Sequence, residues 1–330
     1  MKKITFYTIC LFLAALSLFS CKKGGGKGIK VDNFSNGKAG EVILVLDQKY
    51  ASENALNYLK EVLTQPQPAL NQIEPMFDLL HFDNKDFTAQ FQRHRNIIQF
   101  DINPNYASNT FTIEDNVWTK PQVHIYLRGN DIDSLTLLFM QHEDEVLNAL
   151  YDNDLKRVQY FYATNNDPYI EKKIKDKFGI NITVPNTYNI AREEDNFMWL
   201  RFKTTRNDRF IMIYTTPGSD LSKQGLIHAR NEITKTYIPG AVKGAYPIVA
   251  EVQPFPLYNG NAKVGAITGA ELRGLWECVG DKMGGPFYNF SFLDKTGKNV
   301  VSIGGFVYAP EEEKRDYLRE VEAIVKSVKY

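Results

Sequence analysis

Cysteine is scarce: the 330-residue chain has three, at positions 10, 21 and 278. Net charge is absent, with 39 basic residues against 39 acidic ones. A chain without a basic excess has no overall electrostatic pull toward nucleic acid, so no nucleic-acid partner is expected. The five histidines, His81, His94, His124, His142 and His228, are scattered and show no metal-ligand spacing. "QHEDEV" at 141–146 opens like a zinc-protease helix but lacks the second histidine four residues after the first. No GxSxG elbow, Walker loop or dinucleotide fingerprint occurs, and "GGGKG" at 24–28 lacks the preceding strand and the following Ser or Thr of a phosphate loop. No catalytic residue, cofactor or metal is therefore assigned from sequence.

What is present begins at the N-terminus. Lys2 and Lys3 precede an apolar run, 4–19, that ends at Leu18-Phe19-Ser20-Cys21. That run is shorter than the roughly 20 residues a spanning helix needs, so it reads as an export signal rather than a permanent anchor. The ending resembles a bacterial lipobox, in which Cys21 is acylated before residues 1–20 are removed; Phe19 is bulkier than the residue usual at its place. Two or more acyl chains hold durably, each buried methylene contributing about 0.8 kcal/mol. The expected partner of acylated Cys21 is membrane lipid. Loss of the signal takes Lys2, Lys3 and Cys10 and leaves 310 residues with 37 basic and 39 acidic side chains. Cys278 is then the one thiol not committed to lipid, which excludes an intrachain disulfide. Aromatics at 13% and a hydrophobic fraction of 43% suffice for a sizeable core.

The remaining chain divides by composition. Residues 21–39 read as the lipidated cysteine and a flexible Gly/Lys/Asn-rich linker. Residues 40–150 form an N-terminal α+β half, 151–208 a connecting region, and 209–330 a C-terminal α+β half. In the first half, strands are expected at 41–47, 77–82, 97–102 and 123–127. Helices are expected from Ser52 to Pro66 and over 133–151. Asp167, Pro168 and Gly179 bound a further helix as N-cap, first-turn residue and C′. In the second half, 209–216 reads as a strand before a helix running to Tyr237, with strands at 248–252, 272–279, 286–293 and 300–308 and a last helix at 311–328. "VHIYLRGNDIDSLTLL" and "GFVYAPEEEKRDYLRE" both show a strand ending in Tyr (Tyr126, Tyr308), a break, acids and a helix, which is the order of a diverged duplication. The expected class is α+β, with largely antiparallel sheet and helices packed on one face.

One stretch is richer than the rest. In "ELRGLWECVGDKMGGPFYNFSFLD", 271–294, strand alternation puts Leu272, Gly274, Trp276 and Cys278 on a buried face and Arg273, Leu275, Glu277 and Val279 on the other. Arg273, Glu277 and Asp281 are the candidate interaction surface. Cys278 is expected to be structural, because nothing nearby in sequence supplies a base. Gly284-Gly285-Pro286 is expected to form a turn or bulge. "QRHRN", 92–96, reads as a solvated strand entrance able to meet an anion.

"NFMWLRF" (196–202), "IPGAVKGAY" (238–246), "LRGLWE" (272–277), "DKMGGPF" (281–287) and "GFVYAPEEEKRDYLREVEAI" (305–324) resemble a family of Bacteroidetes lipoproteins defined only as a domain of unknown function. The resemblance implies a bacterial cell envelope location and brings no activity, cofactor or partner. In such bacteria, acids after the cysteine accompany surface display; Lys22 and Lys23 instead favour an outer-membrane lipoprotein facing the periplasm. The leading expectation is a non-catalytic lipoprotein that binds an unknown envelope component. The alternatives are a hydrolase or transferase acting on an envelope polymer, and a glycan or small-ligand binding module built around Trp276.

Overall fold

The computed structural model describes residues 34–330. The export signal, Cys21 and the linker up to residue 33 lie outside the described residues. The linker's expected end does not: Ser35 is buried, and its carbonyl accepts from Arg157 Nη2 at 2.7 Å, so residues from 34 onward pack into the fold. Among the described residues no helix is long and apolar enough to cross a membrane.

The chain runs β1 Glu41–Val45, α1 Glu53–Leu63, β2 Asp78–Phe82, the one-turn α2 Ala89–Gln92, β3 Asn96–Ile102, β4 Thr110–Asp115, β5 Val123–Gly129, α3 Ile132–Gln141, α4 Glu143–Thr164 and α5 Pro168–Phe178. It continues β6 Asn189–Glu194, β7 Phe197–Lys203, β8 Asp208–Pro217, α6 Lys223–Tyr237, β9 Tyr246–Val249, β10 Leu257–Val264, β11 Ile267–Val279, β12 Gly284–Leu293, β13 Asn299–Tyr308 and α7 Arg315–Val325. The fold is α+β, built on two sheets.

The smaller sheet has the order β2-β1-β3-β5-β4. It is mixed: β1 runs parallel to β2 and β3, β3 parallel to β5, and only β4 is antiparallel. The unbroken apolar runs of β1 and the start of β3 fit strands covered on both faces, as parallel strands usually are. One face packs on α1, α3 and α4 through Leu59, Phe139, Val146 and Leu150; the other is closed by Phe87, Phe91 and Trp118. The larger sheet is antiparallel, ordered β10-β11-β12-β13-β8-β7-β6, with β9 added beside the end of β11. The two halves therefore share an order of elements but not a topology.

Local chemistry explains most boundaries. Ser52 caps α1 by accepting from the Ala55 N–H. Asp167 caps α5 through two N–H groups, and Gly179 ends it at φ 69°. The single helix expected over 133–151 is two helices. The chain breaks at His142, and Glu143, Asp144 and Glu145 occupy the first turn of α4, where the helix dipole favours anions. The final helix starts at Arg315 rather than 311, with Glu311 held at φ 65°. Its first N–H groups are capped by Glu74, whose two carboxylate oxygens accept from Lys314 and Arg315 at 2.7 and 2.8 Å.

Helices cover both faces of the larger sheet. On one, α7 buries Leu318, Val321, Ile324 and Val325 against Ile211, Ile213, Phe290 and Ile303. On the other, α6 buries Leu226, Ile227 and Ile233 against Phe210, Met212, Phe287 and Phe306. The opposite side of α7 carries Arg315, Arg319, Glu322 and Lys326, four and three residues apart, turned toward the first half. Arg319 reaches Asp154 of α4 at 2.8 Å, and Asp154 also pairs with Arg95 and accepts from Asn96. Glu322 accepts from Tyr151 at 2.5 Å. "QRHRN" is thus no solvated entrance: His94 and Arg95 are 4% and 5% exposed and form part of this hub.

Candidate ligand pocket on the α6 face

Trp276 lies on the buried face expected of it, 2% exposed, with its indole N–H donating to the Val307 carbonyl at 3.0 Å. Gly285 permits that contact, since a Cβ there would stand 2.1 Å from the Val307 oxygen. The glycine pair 284–285 therefore lies inside β12, and the turn falls earlier, at Gly280 with φ 79°. Beside Trp276 is a cavity of about 130 Å³. Strands β7, β8 and β13 supply Trp199, Arg201, Phe210 and Phe306, while β11 supplies Trp276 and Cys278. The segment after α6, Ile238 to Ala241, closes one side with Met283. Gly240 passes so near the sheet that a Cβ would lie 3.1 Å from Cys278 Sγ.

The polar groups in this wall are few. Trp199 is 9% exposed, and its Nε1 has no hydrogen-bond partner among the described residues. Arg201 gives Nη2 to Asp208 at 2.6 Å, while its Nε is also unpartnered there. A buried N–H without an acceptor costs about 1–3 kcal/mol. Burial, reinforced by Asp281, pushes the Cys278 thiol up from its ordinary pKa. A raised pKa disfavours the thiolate, the form a nucleophilic cysteine needs.

The three candidate surface residues are not brought together. Arg273 is a correction: α7 covers its side of β11, so its side chain is only 14% exposed and pairs with Glu322 at 3.2 Å and with Glu271. Glu277 is exposed, as expected. Asp281 accepts from the Ala241 N–H at 3.1 Å and ties the loop after α6 across the pocket. Trp199 and Arg201 were not among the candidates. Alternation in "FMWLRF" puts both on the face of Phe197, a signal present in the sequence. Among the described residues no group of three His, Cys, Asp or Glu side chains could hold a metal ion.

An α+β protein with an aromatic pocket on one face of its larger sheet is what fold and site define. Residues 35–163 match a family described as a domain of unknown function (DUF8532), and residues 167–327 match a second, also a domain of unknown function (DUF4837). No curated protein matches the chain. Two solved structures are similar to parts of it: a mutant of protein Mog1, at 12% identity and TM-score 0.30, and the Saccharomyces cerevisiae Ran-binding protein Mog1p, at 11% and 0.29. Each match covers 46% of this chain and 89% of the other. Likeness at that level carries no argument here.

Proposed function

We propose that the protein is a lipoprotein of a Bacteroidetes-type cell envelope whose folded part is a non-catalytic binding module. Cys21 at the end of the apolar run supports the tether to membrane lipid, and Lys22 and Lys23 support an outer-membrane position facing the periplasm. The observation that carries the binding reading is the aromatic cavity itself, walled by Trp199, Phe210, Trp276 and Phe306, with the buried Trp199 indole N–H left without a partner among the described residues. The ligand that fits is one small apolar or aromatic group bearing an acceptor oxygen, presented by an envelope component. A cavity of similar size, about 150 Å³, holds benzene in another protein. Cleavage of an envelope polymer is less well supported, because Arg273 is committed to Glu322 and Asp281 to a backbone N–H.

Benzoate is a suitable probe, being an aromatic ring with an anionic acceptor. Calorimetric titration should show saturable binding in the millimolar range, weakened about fivefold or more in Trp199→Phe, which keeps the ring and removes the donor. Equal affinity of parent and variant, or no saturable heat in either, overturns the pocket reading.

A further inference from the structure

A second feature lies where the first half meets the C-terminal end of the chain. A cleft of about 470 Å³ is lined by Lys120, Lys156, Lys326 and Lys329, with Gln159 and Tyr160 among its other walls. Among the described residues no carboxylate lines it. Lys326 is paired with Glu322 at 2.8 Å. Lys120, Lys156 and Lys329 are exposed, and none of them forms an ion pair among the described residues. Lys156, Gln159, Tyr160 and Ala163 fall at i, i+3, i+4 and i+7 on α4, so they form one continuous face. Tyr160 is 48% exposed there.

The chain enters the fold at this cleft. Phe34 stacks on Tyr160 with ring centroids 5.4 Å apart, and the Arg157 guanidinium lies 4.2 Å from the Phe34 centroid. The next residue, Ser35, donates its N–H to the Lys120 carbonyl at 3.2 Å. Only the segment 22–33, "KKGGGKGIKVDN", separates Phe34 from Cys21, and it carries four lysines and one aspartate. Even fully extended, a segment of that length spans at most about 45 Å. An acylated Cys21 would keep the cleft within that distance of the lipid surface, and electrostatic attraction acts over the last Debye length of about 8–10 Å.

We propose that this cleft docks on the anionic headgroups of the membrane, seating phospholipid phosphates among Lys120, Lys156 and Lys329 with Tyr160 at the interface. Its place beside a membrane rests on the tether reading; its chemistry does not. Basic side chains next to a lipid anchor and an aromatic ring at headgroup level are the groups such a surface recruits. The docked face would fix which way the tethered protein points.

The test uses a chain beginning at Lys22, which contains the entire compact unit Phe34–Tyr330 and no acyl group. Co-sedimentation with vesicles rich in phosphatidylglycerol should show binding that weakens with salt, against little on pure phosphatidylcholine. The variant Lys120→Glu/Lys156→Glu/Lys329→Glu should bind the anionic vesicles at least about tenfold more weakly at an unchanged melting temperature. A variant that binds like the parent, leaving the attraction to the lysines of 22–33, overturns the proposal, as does a parent that binds neither vesicle. Incorporation of labelled palmitate into the full chain but not into Cys21→Ser tests the tether separately, so either reading can fall alone.

Discussion

The two faces of the larger sheet bury charge in opposite ways. Under α7, buried guanidinium groups have carboxylates: Arg273 has Glu322 and Glu271, and Arg209 has Glu320, while on the far side of the same helix Arg319 has Asp154. Under α6, Arg230 is 2% exposed and pairs with no carboxylate among the described residues. It lies 4.6 Å from the Phe287 ring centroid and 5.4 Å from that of Phe306. Burial lowers its pKa to about 10. The unpartnered Trp199 Nε1 is on the same face. A face whose charges are matched serves to join the two halves. Donors without an acceptor occur on both faces, the Tyr188 hydroxyl and Arg209 Nε under α7 among them, so what sets the α6 face apart is an unpaired buried guanidinium packed on Phe306, a residue of the cavity wall.

The largest expected effect breaks the matched face. Asp154→Ala strips the carboxylate from Arg95 and Arg319 and an acceptor from the Gly40 N–H, and should cost about 3–5 kcal/mol in urea unfolding. Arg230→Met, by contrast, removes a charge that has no carboxylate to lose and should leave stability equal or higher. Similar losses in the two variants would erase the distinction between the faces.

Acid sharpens the same contrast. Burial alone would raise the Glu322 pKa, but Arg273, Lys326 and the Tyr151 hydroxyl bring it down to about 2, below the unfolded value of about 4.5. A carboxylate lowered on folding contributes stability that is complete above the unfolded pKa and lost as pH falls through the folded one. The window is therefore about pH 4.5 down to about pH 2, and the contribution is of order 3 kcal/mol. Parent stability should fall across that window more steeply than that of Glu322→Gln, as followed by urea midpoints at each pH. Parallel profiles would remove Glu322 as the acid-sensitive link.

Legibility in the sequence follows the distance between partners. The helix beginning near Ser52, the Asp167-Pro168 start and Gly179 stop of α5, and the burial of Trp276 all rest on local spacing, and each is seen in the structure. The mixed smaller sheet was harder, because pairing direction is set by which strands meet rather than by any one strand. The edge strands β4 and β10 escaped because their exposed, polar alternation resembles loop. Glu74 caps a helix 240 residues away, and Glu322 meets Arg273 across 49, so no spacing rule could pair them. One strand of the pocket was legible, at Trp276 and Cys278. Trp199 and Arg201 join it only once β7 and β11 are placed in one sheet.

The smallest expected effects lie within a single strand. Arg273 and Glu277 occupy the same side of β11, and alternation alone makes them equivalent surface positions. The structure separates them: α7 lies over Arg273, while Glu277 is beyond its cover. Arg273→Ala leaves Glu322 buried with only Lys326 and Tyr151, and should cost about 1–3 kcal/mol. The loss stays below that of Asp154→Ala because one cation still faces the carboxylate. Glu277→Ala removes an exposed side chain and should leave the melting temperature unchanged. Thermal unfolding of the two variants beside the parent separates these outcomes. A melting temperature for Arg273→Ala equal to that of Glu277→Ala would mean that α7 does not cover this end of β11, and would return Arg273 to the solvent face.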